Sequence, residues 1–168
     1  MISDADIATL AELGVVASVQ PAFDAAWGRP GELYEQRLGP SRAHGMNRFG
    51  TLERSGVPLA FGTDAPVTPL GGWATVQAAV QHWQPRERLS IAAAFDAATR
   101  GAHRAAFADN AGTVEVGAVA SLAVWDVEAG DLEGKAPLPA LRDGVLPTCA
   151  ATISAGQLIY QSERFEVG

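Results

Sequence analysis

Asp64, in the stretch "PLAFGTDAPVTP" (residues 58–69), is the residue of this chain best placed to do chemistry. A carboxylate set at the end of an apolar run, between Thr63 and a turn containing Pro66 and Pro69, is held where its backbone has little freedom. Such a group can ligate a metal ion or take a proton from an attacking water. It can equally cap the turn "DAPV" by an Asx-type hydrogen bond, and spacing alone leaves both readings open. Two polar residues join it as candidates for contacting a ligand: Gln20, which ends an earlier apolar run, and Thr63.

The other reactive residue types are sparse. The three histidines are scattered, with His44 in a loop and His82 and His103 on expected helices, where a structural role is the simpler reading. No His-x-His, HExxH or paired cysteine occurs, so no three-ligand zinc site of familiar spacing can be built from this chain alone. The single cysteine, Cys149 in "LPTCAATI", reads as a small apolar residue and excludes an internal disulfide framework. Ser18, Ser41 and Ser55 lack a nucleophile-elbow context, and neither "GVVASV" nor "GTVEVG" is a phosphate loop.

The elements that must position Asp64 follow from periodicity and punctuation. Residues 3–13 form an amphipathic helix capped by Ser3 or Asp4, with Ile7, Leu10 and Ala11 on one face and Gly14 as its stop. "VVASVQ" is then a buried strand closed by Pro21. After a long connection, residues 22–47, with a helix at "ELYEQRLG", the pattern repeats: helix "RFGTLERSG", then strand "VPLAFGTD". Both strands are continuous apolar runs, as expected of parallel strands covered on both faces. Ligands of parallel α/β sheets gather at the C-terminal ends of the strands, where Gln20 and Asp64 both fall. Long connections inside compact domains are often functional, so residues 22–47 are the segment expected to touch substrate.

Downstream, residues 72–84 read as a helix, and "SIAAAFDAATRGAHRAAF" as a second, capped by Ser90 and bent near Gly101. After residue 112 the texture becomes β: "GTVEVGAVASLAVWDVE", a loop-like "AGDLEGKAPLPALRDG", and a hairpin turning at Ala155-Gly156.

Bulk properties narrow the function classes. With 168 residues, 48% hydrophobic and 18% charged, the chain can bury a core. A net charge of −7 with no Lys/Arg cluster disfavours nucleic acid and anionic membranes. No run approaches the roughly 20 apolar residues of a membrane span, and "MISDADIATL" is unlike a signal peptide, so a cytoplasmic setting is expected.

"LAELGVVASVQPAF", "RLGPSRAHGMNRFGTLERSGVPLAFGTDAPV" and "AAFDAATRGAHRAAFADNAGTVEVGAVASLAVWD", in that order, resemble the C-terminal part of the metal-dependent amidohydrolase superfamily, in its amidohydrolase-3 branch. The resemblance implies an α/β fold: residues 1–111 as the last two β/α units of a (β/α)8 TIM barrel, residues 112–168 as strands of a small β-sandwich. "VVASVQP" resembles the seventh barrel strand and "PLAFGTD" the eighth. Asp64 then matches the eighth-strand aspartate, a metal ligand and general base for a water activated by a divalent metal such as Zn2+, in hydrolysis of amide or other non-peptide C–N bonds. Residues 112–126 and 145–161 resemble the returning sandwich strands, with Ser121 where the family usually has a structural Asp.

The family's His-x-His pair, its bridging lysine or carboxylate, and its strand-five and strand-six histidines are absent. Their absence implies a truncated chain, with Met1 just past the strand-six position. Two strands cannot close a barrel of eight. The expected partners are therefore a small-molecule substrate and, across the exposed strand edges, the missing N-terminal barrel segment or a second copy. No tightly bound metal and no catalysis are expected of this chain by itself. The alternatives are a non-catalytic interaction module without metal and a free-standing α/β binding domain.

Overall fold

The computed structural model describes residues 1–128, 138–141 and 144–165. They form a mixed α/β structure of two compact units, Met1–Gly112 and Thr113–Gly168. Most of the loop-like stretch 129–144 lies outside the described residues.

Helix α1 (Asp4–Leu13) opens the first unit. Ser3 is its N-cap. The Ser3 hydroxyl accepts from the Asp6 backbone N–H, while Asp6 accepts from the Ser3 backbone N–H and hydroxyl, a closed capping box. These bonds, the hydroxyl's first, hold the Asp6 carboxyl below its usual value of 3.8. A carboxyl depressed by folding stabilises above its unfolded value and loses that contribution as pH falls through the folded one. Helical circular dichroism of α1 should therefore drop below pH 4 in the native chain, and Ser3→Ala should remove that step. Gly14, at φ +64°, ends the helix in the left-handed conformation.

Strands β1 (Ala17–Val19) and β2 (Leu59–Phe61) pair in parallel, Ala17 opposite Leu59 and Val19 opposite Phe61. Between them the long connection holds the expected helix, α3 (Leu33–Leu38), and two further short ones, α2 (Pro21–Trp27) before it and α4 (Pro40–Ala43) after it. Pro21 closes β1 as expected but is also the first residue of α2. Its fixed φ and missing N–H suit a helix's first position as well as a strand's end. Helix α5 (Phe49–Arg54) leads into β2. Its N-terminus carries no local side-chain cap. The buried Glu87 carboxylate supplies one from the 3-10 turn Pro85–Glu87, accepting from the Thr51 N–H and hydroxyl at 2.8 Å each.

Helix α6 spans Gly72–Val80, shorter than expected, because Gln81 leaves helical geometry ahead of the Pro85 turn. His82 and Trp83 therefore lie beyond the helix. The following Ala-rich segment begins as α7 (Ile91–Asp96), capped by the Ser90 hydroxyl. It widens into a π turn (Ala97–Gly101) and finishes as α8 (Ala102–Ala105). The core includes Phe49, Leu52, Val57, Leu59, Trp73, Val76, Leu89 and Ala97.

In the second unit β3 (Leu122–Asp126), β4 (Thr148–Ser154) and β5 (Gln157–Gln161) make an antiparallel sheet in that order. Residues 112–121, expected to contribute to strands, are bends, turns and irregular backbone outside the sheet. Ser121 is structural: its hydroxyl accepts from the Ala155 N–H, tying β3 to the hairpin turn. That turn, Ala155–Gly156, has φ +47° and +82°. An alanine in the left-handed region is strained, whereas asparagine there is favoured in two-residue hairpins. Ala155→Asn should therefore raise stability by about 0.5–1 kcal/mol in urea unfolding. An unchanged midpoint would show that the turn is not strained.

Candidate functional site

The parallel pairing sends the C-terminal ends of β1 and β2 to the same edge. The ladder continues one step further, Gly62 N–H donating to the Val19 carbonyl at 3.0 Å, so Gln20 and Gly62 leave the sheet side by side. Gln20 Nε2 donates to Asp64 Oδ1 at 3.5 Å, bringing two of the three candidate residues together across 44 positions of sequence. Asp64 is exposed and Thr63 half-buried. The carboxylate thus meets water and not a hydrophobic interior, and its charge needs no buried counter-ion.

The turn that carries Asp64 is built from backbone bonds. Val67 N–H donates to the Asp64 carbonyl at 2.8 Å, the buried Thr68 hydroxyl donates to the Thr63 carbonyl, and the Ala65–Pro66 peptide is cis. Asp64 itself has φ +49°, a left-handed conformation that aspartate and asparagine tolerate better than other side chains. The Asp64 side chain accepts from Gln20, across the strands, and the turn is closed through the Asp64 main chain.

Behind this edge lies a charged cluster that the spacing of the sequence does not reveal. Asp24, in α2, is almost fully buried. Its Oδ1 accepts from Asn47 Nδ2 at 2.9 Å, and its Oδ2 is 3.2 Å from Nε2 of the equally buried His82. His82 Nδ1 accepts from the Gln84 N–H at 3.0 Å, so in the neutral ring the proton sits on Nε2, facing Asp24. That Nε2 makes no well-aligned hydrogen bond, and its contact with the carboxylate is electrostatic. His82 is a core residue on a turn and not on the expected helix, with Nδ1 hydrogen-bonded and Nε2 left without a hydrogen bond beside the carboxylate. Tyr34 ionises above its usual value of 10.0, first because it is partly buried and second because it faces the Asp24 charge.

Asp24, Arg29, Thr68, Gln77 and Trp83 are among the residues lining a 420 Å³ cleft between α2, the Thr68–Pro69 turn and α6. His44, half-exposed, pairs with Glu35 at 2.9 Å. Among the described residues no group of three or more His, Cys, Asp or Glu side chains is disposed to hold a metal ion. Asp64 can offer one oxygen ligand, and the described residues do not complete a coordination set around it.

Comparison with known proteins gives this geometry a family. The first 160 residues match the model of the amidohydrolase family. Among solved structures the chain is similar to an uncharacterised metal-dependent hydrolase from Pyrococcus furiosus, with 31% identity and a TM-score of 0.64 over 71% of this chain and 25% of that one. It is also similar to an uncharacterised metal-dependent hydrolase from Pyrococcus horikoshii OT3, with 28% identity and a TM-score of 0.56 over 67% of this chain and 24% of the other. The chain thus spans about a quarter of the length of these hydrolases. No curated protein matches it. No helix among the described residues is long and apolar enough to cross a membrane. With the family model matched over residues 1–160, the chain belongs to the amidohydrolase family.

Proposed function

We propose that Asp64 is a metal ligand and proton acceptor in a hydrolase site acting on amide or other non-peptide C–N bonds. The observation that carries this reading is the shared edge of β1 and β2, where Gln20 and an exposed, weakly partnered Asp64 meet at the C-terminal ends of parallel strands. On this reading residues 1–111 are the last two β/α units of a (β/α)8 barrel, and residues 112–168 supply strands of a small β-sandwich. The other metal ligands, and the strands that extend β1 and β2 at their outer edges, come from outside the chain. A two-stranded parallel sheet is too small to stand alone, which makes those edges the docking place for the rest of the barrel or for a second copy.

A divalent cation such as Zn2+ supplies an acidified water when bound. With such a cation in place, Asp64 Oδ2, on the side away from Gln20, would accept the water's proton, and Gln20 would steady Oδ1. Thr63 and the segment 22–47 contact the substrate, a small molecule. We place the protein in the cytoplasm, on the support of its single cysteine and the absence of a membrane-length helix among the described residues.

The test is metal content and hydrolysis in two samples. One is the isolated chain. The other is a chimera in which the matched segment replaces its counterpart in the Pyrococcus furiosus hydrolase. The chimera is expected to retain divalent metal by elemental analysis and to hydrolyse members of an amide panel, and the isolated chain to retain little metal after desalting. A folded chimera without metal would overturn the proposal in favour of a non-catalytic interaction module. Stoichiometric metal on the isolated chain would refute the incomplete ligand set.

A further inference from the structure

We propose that Asp24 is a positioning residue: the buried knot of Asp24, Asn47 and His82 fixes helix α2 and, through its first turn, sets the Gln20 amide against Asp64. The inference rests on the reading of Asp64 above and adds the residues that hold its partner.

Two segments distant in sequence from α2 converge on the Asp24 carboxylate. Asn47 comes from the turn before α5, where it has φ +52°, and donates Nδ2–H to Oδ1. His82 comes from the exit of α6 and places Nε2 near Oδ2, with its ring packed edge-on against Phe49 at 5.5 Å. Gly28, at the end of α2, leaves the space the carboxylate occupies; a Cβ there would lie 2.3 Å from Asp24 Oδ1. A buried carboxylate costs free energy unless partnered, so this arrangement tolerates little displacement of any of the three segments.

The link to the site is one helical turn. Helix α2 has seven residues, and no side chain caps its N-terminus. Such a helix is not stable on its own and takes its orientation from its anchor. Gln20 is its N-cap residue, and the Phe23 N–H donates to the Gln20 carbonyl at 3.0 Å. Holding Asp24 in the core therefore holds the Gln20 backbone one turn away, which places Nε2 within reach of Asp64. Without the knot, α2 shifts or frays, and an exposed 3.5 Å contact is the first to go.

The experiment follows the Gln20 side-chain amide by proton–nitrogen NMR in the isolated chain as pH passes through the carboxylate range. Asp64→Asn identifies the part of the shift change that comes from Asp64. Asn47→Gly keeps the left-handed backbone accessible while removing the Nδ2–H donor, and it serves if Asp24→Asn fails to fold. In both knot variants the Asp64-dependent shift of the Gln20 amide is expected to be lost. A variant with a lowered melting temperature and an unchanged Gln20 response would make the knot merely structural and overturn the proposal. Because this measurement uses neither metal nor hydrolysis, a chimera that binds no metal refutes the proposed function alone.

Discussion

Asp64→Asn, introduced into the metal-loaded chimera, should lower amide hydrolysis by about 10²–10⁴-fold, the usual contribution of a positioned general base. Asparagine is the informative replacement because the backbone at position 64 has φ +49°. Asparagine adopts that conformation as readily as aspartate, whereas alanine would add backbone strain and confound the measurement. The substitution removes the negative charge and the proton-accepting oxygen while keeping a carbonyl oxygen that Gln20 Nε2–H can reach. Stability should change little, since the residue is exposed and its side chain makes only a long, 3.5 Å contact with Gln20. Metal content measured alongside the rate separates the two roles. Loss of both marks Asp64 as ligand and base, and loss of rate with metal retained marks it as base only. A wild-type rate in the folded, metal-loaded variant would remove Asp64 from the site.

Gly101→Ala should be the most damaging glycine substitution in the Met1–Gly112 unit. A Cβ at this position would lie 2.1 Å from the Leu59 carbonyl oxygen, a backbone atom of β2 that no rotamer change can move. The π turn Ala97–Gly101 thus presses directly on the strand that delivers Asp64. Overpacking of this kind typically costs 1–3 kcal/mol and at times more, and a clash with sheet backbone belongs at the upper end, about 3 kcal/mol. Alanine's higher helix propensity offsets about 1 kcal/mol at most. The control is Gly72, the first residue of α6, where an added Cβ meets nothing within 4 Å. Gly72→Ala should therefore be neutral or slightly stabilising. Urea unfolding of both variants checks the pair, and similar midpoints would mean that helix and strand separate without cost.

Much of the local structure was legible because it depends on interactions a few residues apart. Ser3 and Asp6 close their box within one turn, Gly14 ends α1 where a left-handed residue is needed, and Ser90 caps α7. Ala155–Gly156 turns the hairpin where the pattern of strand residues breaks. Where local signals were ambiguous, expectation and structure diverged. Pro21 both ends β1 and starts α2, and the alternation in "GTVEVG" found no strand to pair with among the described residues.

By itself, then, the sequence determined the α-β-α-β order, the delivery of Gln20 and Asp64 to the same strand ends, and the ordered motifs of the amidohydrolase family. Period and punctuation are local properties, and a parallel pairing of two such strands follows from them. The tertiary structure alone decided what surrounds those residues. It put Asp64 in water, although the residue ends an apolar run. It brought Glu87 to the unprotected end of α5 and gathered Asn47 and His82 around Asp24. A buried carboxylate has no periodicity to announce it. Its partners are chosen by which chain segments meet in the core, so a cluster such as that around Asp24 becomes visible only when those segments are packed together.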